Sequence, residues 1–188
     1  HYLKLGQSYL YQAQSVLPGG ALEASMNAIQ ILDKACQLSA TQAEPWLSLA
    51  RAHLCAAQDN SLDQAAACAE RAIHLDPDST EPLVLRAEIA LQSGDFQEAY
   101  DRALVASRLE ELSRLSGDEA TPTPQTNPYP ILLLVRALDG LGRTTEAIAA
   151  IDKALPHVWE RLPLMLERLQ LISRSQDADA LLGALQEL

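Results

Sequence analysis

The side chains that could do chemistry in this sequence are few and scattered. The four histidines, His1, His53, His74 and His157, fall outside H-E-x-x-H and every other metal-ligand spacing. His53 lies inside an apolar-periodic run and reads as a packed residue rather than a ligand, and His1 as a tag remnant. Cys36, Cys55 and Cys68 are odd in number and show no C-x-x-C spacing, so they read as small buried hydrophobes. With no signal peptide in view, unpaired cysteines point to a reducing, cytoplasmic setting. There is no G-x-S-x-G and no glycine-rich phosphate loop, and Gly140-Leu141-Gly142 reads as a turn. The acidic pairs Glu110-Glu111 and Asp118-Glu119 are adjacent in sequence, so on a helix they do not converge on one point. Nothing in these residues supports catalysis. The expectation is a chain that is not an enzyme, with no cofactor and no bound metal.

Charge narrows the choice of partner. The 188 residues carry 25 acids against 14 bases, a net charge of −11. A phosphate backbone needs clustered positive charge, so no nucleic acid is expected. The apolar run Ile131–Val135 is far too short to span a bilayer and reads as a core stripe, so no membrane is expected either.

The elements that must position a recognition surface show themselves as a repeat. Ala43 to Pro77 holds two apolar-periodic runs joined by a polar turn and closed by Asp76-Pro77. Ala65 and Ala72 recur 34 residues later as Ala99 and Ala106, and 37 residues earlier as Ala28 and Ala35. A further shift of 48 gives Ala147 and Ala154. Small residues at these places let two helices approach closely. Trp46, Leu49 and Ala50, then Ala65, Ala69 and Ala72, then Pro77, together with the 34-residue shift, resemble the tetratricopeptide repeat (TPR) motif. Leu5-Gly6 followed by Tyr9 is similar to the L-G-x-x-Y part of that motif. His53 stands where the motif prefers tyrosine, and Ala69 where it prefers phenylalanine.

The resemblance implies an all-α fold, an α-solenoid of about five stacked antiparallel helix hairpins forming a TPR-like right-handed superhelix. The hairpins are expected at about 1–39, 43–76, 79–115, 129–156 and 158–188 of a single repeat domain. A chain without an initiator methionine, entering and leaving in helical pattern, is expected to be a piece of a longer protein. Leu17-Pro18-Gly19-Gly20 is expected to break the first hairpin, its second helix starting near Ala21. That hairpin carries about ten residues more than the third, placed either in longer helices or in a longer loop. Ser61 with Gln64, and Asp95 with Glu98, read as capping boxes. Residues 116–128, with Pro122 and Pro124, read as a mobile loop: a tolerated insertion, or a recognition segment modified at Thr121 or Thr123. In the last hairpin Asp177 is expected to cap a short helix packed through Ala180 and Ala184.

In TPR proteins the first helices of the hairpins line a concave groove that takes an extended peptide or a partner helix. Carried onto this sequence, the groove candidates are Leu47, Ser48, Arg51 and Leu54, then Glu81, Leu85 and Glu88, then Leu133 and Arg136. The leucines among them are equally readable as core. The positions at which chaperone-binding TPR domains grip a carboxylate hold no matching set of cations in this groove. Two functions stay open. One is an interaction scaffold that binds a peptide or partner helix in the groove. The other is a structural or oligomerisation segment that packs against its own chain or a second copy, a homodimer included.

Overall fold

The computed structural model describes residues 1–15, 18–56, 60–115 and 126–175. Among them the regular structure is helical throughout, apart from one isolated bridge between Thr126 and Val158. The molecule divides into two compact units, His1–Ser93 and Gly94–Leu188. The all-α helical-repeat class expected from the sequence is the class observed.

The first unit contains α1 (Tyr2–Ser15), α2 (Pro18–Leu38), α3 (Ala43–Ala56), α4 (Ser61–Leu75) and α5 (Thr80–Ser93). Each helix packs on the next, and α1, α3 and α5 also touch in series. The alanines that mark the repeat are the contact surface: Ala28, Ala65 and Ala72 are fully buried, with Leu32, Cys36, Leu47, Leu49 and Ile89 filling the space around them. Gly6 lets α1 approach α2, because a β-carbon there would stand 2.5 Å from Cγ of the fully buried Leu32. Trp46 packs half-buried against the same core.

The second unit contains α6 (Phe96–Leu115), α7 (Tyr129–Gly140), α8 (Thr144–Ala154) and α9 (Leu162–Ser175). Its buried side chains include Ala99, Ala103 and Ala106 of α6, Leu133 and Val135 of α7, Ile151 of α8, and Leu164 and Leu171 of α9. Between α6 and α8, the Arg143 guanidinium lies 5.0 Å from the Tyr100 ring centre and donates two hydrogen bonds to Glu146.

Helix starts and stops follow local chemistry. Pro45, Pro82 and Pro130 lie in first turns, where a missing N–H forfeits no helical bond, and all three rings are fully buried. Asp95 caps α6, its Oδ1 accepting the Glu98 N–H at 3.0 Å. Gly94 and Gly142 take positive φ (80° and 74°) at their turns, conformations that cost a residue without a β-carbon little.

Two expectations are corrected. The second helix begins at Pro18, not near Ala21, and runs 21 residues. Proline opens a helix as readily as it ends one, so the surplus of the first hairpin lengthens α2. Ser61 does not cap α4: Asn60, in the left-handed region at φ 65°, is the capping residue and makes no side-chain bond, while Ser61 is buried inside the first turn. Thr121, Thr123, Asp177, Ala180 and Ala184 lie outside the described residues.

Candidate functional site

In the first unit, α1, α3 and α5 present one side-by-side row whose polar side chains interlock. Gln7 Nε2 of α1 donates to Glu44 Oε1 (3.1 Å) and to Ser48 Oγ (3.3 Å) of α3. Arg51 of α3 donates to Glu81 Oε1 of α5 at 2.5 Å, with the two side chains 40% and 53% exposed. Gln14 Nε2 reaches Cys55 Sγ at 3.9 Å. Burial first, opposed by the Gln14 bond and reinforced by the Glu88 charge, holds the Cys55 thiol above its ordinary range.

Of the residues singled out from sequence, Ser48, Arg51, Leu54, Glu81 and Glu88 belong to this row. Leu54 and Glu88 are half-buried. Leu47 and Leu85 are buried (6% and 4% exposed) and form part of the core between hairpins. In the second unit Leu133 is buried at 1% exposure, and Arg136 Nε lies 3.5 Å from Glu167 of α9. Arg174 pairs with Asp139, and Arg168 with Asp152 at 2.8 Å, so α9 is tied by charge to both α7 and α8.

Gln7 and Gln14, seven residues apart and so on one side of α1, also belong to this row; Gln14 carried no signal in the sequence beyond that spacing.

No group of three or more His, Cys, Asp or Glu side chains among the described residues could hold a metal. The thiols are masked by their surroundings. Burial, with smaller contributions from Cys68 and Asp33, pushes Cys36 up to about 12, and burial with Asp33 pushes Cys68 up to about 11. None of the described helices is long and apolar enough to cross a membrane.

An alanine-faced row of helix hairpins opened by buried prolines defines the fold as that of the tetratricopeptide repeat proteins, and solved structures agree. MamA of AMB-1 superposes with a TM-score of 0.71 at 16% identity, over 100% of this chain and 95% of that one. TTC0263, described as a thermophilic TPR protein in Thermus thermophilus, gives 0.66 at 17% identity over 89% and 81% of the two chains. YrrB, described as a TPR protein with an unusual peptide-binding site, gives 0.60 at 16% identity over 81% and 70%. No protein-family model and no curated protein matches the sequence.

Proposed function

We propose that this chain is a non-catalytic protein-interaction scaffold, and that the α1–α3–α5 row receives a peptide or a partner helix. The observation that carries the reading is the exposed Arg51–Glu81 pair, set between two helices and beside the Gln7–Ser48 bond. A pair this exposed contributes only about 0–1 kcal/mol to stability, so exchanging it for contacts with a ligand costs the fold little. Its donors and acceptors are already held in place, and half-buried Leu54 supplies an apolar anchor beside them. The solved TPR neighbours support the class of function, YrrB with its peptide-binding site among them.

The test is affinity capture from the native lysate with wild-type chain, Arg51→Glu, and the swapped pair Arg51→Glu with Glu81→Arg. Both variants should lose a specific partner that the wild type retains. An unchanged partner set would remove the face from consideration.

The second reading, packing against its own chain or a second copy, is favoured by one patch. Leu162 and Leu166, one turn apart on α9, are 55% and 45% exposed, and Trp159, just before the helix, is 59% exposed. Large apolar side chains exposed on one helix face mark contact surfaces.

A further inference from the structure

One cleft in the second unit gathers charge of the sign that the chain as a whole lacks. It opens between α6, α7 and the end of α8, with a volume of about 310 Å³. Leu104, Ile131, Leu134 and Ala154 supply its apolar lining. Arg108 and Arg114 of α6 and Lys153 of α8 line it as well, with Glu110 and Glu111 beside them. That is three cations to two carboxylates, in a chain with 14 to 25.

These cations are also among those that hold no carboxylate. Arg51, Arg86, Arg102, Arg136, Arg143, Arg168 and Arg174 each hold a carboxylate. Among the described residues Arg108, Arg114 and Lys153 have no such partner.

The cleft is built into the fold. α6 runs 20 residues against 12 for α7 and 11 for α8. At about 1.5 Å per residue it is longer than α7 by about 12 Å, and Arg114 stands on its last turn. Elsewhere on the lining, Thr126 donates both its backbone N–H and its hydroxyl to the His157 carbonyl, each at 2.9 Å. These two hydrogen bonds tie the approach to α7 to the end of α8 and hold the wall in place.

We propose that this cleft docks a peptide segment of a partner protein that carries acidic side chains beside leucine-like ones. The volume suits one or two apolar side chains rather than a whole helix. Seating them on the floor removes water from apolar surface, and carboxylates on either side meet the forked donors of Arg108 and Arg114 and the ammonium of Lys153. The chain's net charge of −11 disfavours the same peptide elsewhere, and within the cleft Glu110 and Glu111 set where its carboxylates can lie. The proposal is independent of the α1–α3–α5 row.

The experiment is fluorescence anisotropy in 0.1 M salt, where charges beyond about 10 Å are screened. The probes are three labelled peptides: DLEELLDDL, its amide analogue NLQQLLNNL, and its serine analogue DSEESSDDS. Wild-type chain should bind the first at least tenfold more tightly than either analogue. The triple variant Arg108→Gln, Arg114→Gln, Lys153→Gln should bind it about tenfold more weakly, as expected for three exposed charge pairs. Arg51→Glu should bind it like wild type. Circular dichroism melts check that the triple variant is folded, and its substitutions lie at exposed or half-exposed sites. Equal binding of the amide analogue, no binding of the acidic peptide, an unaffected triple variant, or loss in Arg51→Glu would each overturn the proposal.

Discussion

At the scale of single residues, His53 shows how one half-buried titratable group shapes behaviour. It sits half-buried on α3, and burial lowers its folded-state pKa below the ordinary 6.5, opposed by the Asp33 charge on α2. The unfolded chain therefore takes up this proton first as pH falls. The stability contributed by neutral His53 is fully present above about pH 6.5 and is lost as pH drops through that value toward the folded pKa. Urea midpoints of wild type should fall between pH 7.5 and pH 5.5 more steeply than those of His53→Gln. Parallel curves would show that His53 is not the group responsible. Sequence periodicity placed His53 within a packed helix, and it is half-buried there. The Asp33 charge that acts on it comes from another helix and has no local signature.

Helices meet where small residues allow, and the two helical glycines separate two kinds of contact. Gly6 faces Leu32, fully buried and walled in; Gly140 faces the ring of Phe96, which is half-buried. Alanine improves helix propensity by about 1 kcal/mol at either place. At Gly6 the new β-carbon has nowhere to go, and overpacking of this kind costs about 1–3 kcal/mol. At Gly140 the new β-carbon would stand 2.3 Å from Cδ1 and 2.5 Å from Cγ of Phe96, so the half-buried ring must swing outward as a whole. Thermal melts should show both variants destabilised, Gly6→Ala the more because Leu32 is fully buried; the reverse order would refute this account of how α1 and α2 pack. The Leu5-Gly6-x-x-Tyr9 pattern made Gly6 legible from sequence. Gly140, read as a turn residue, proved to be the last residue of α7 in close approach to α6.

At the scale of the whole molecule, the question is which surface is covered. Leu162 and Leu166 of α9 and Trp159 just before it are exposed apolar side chains, whereas the α1–α3–α5 row is polar and charged. If the second reading holds, light scattering across a hundredfold range of concentration should report a dimer that Leu162→Ser with Leu166→Ser dissociates. A monomer at every concentration leaves the scaffold reading standing alone. The net charge of −11 works against close approach of two copies, so a dimer would also strengthen with salt.

Alanine offsets and the 34-residue shift carried, from sequence alone, the resemblance that implies an all-α chain of repeated hairpins. The alanines signal it because a small residue every turn of a helix means the same thing wherever that helix lies. The fate of the leucines was not local. Leu47, Leu85 and Leu133 occupy positions compatible with groove or core, and only the neighbouring helices decided that all three are buried. The same holds for charge. Arg51 and Arg108 look alike in the sequence, but tertiary structure gives Glu81 to the first and sets the second beside an apolar cleft, because ion pairs and pockets arise from residues far apart in the chain.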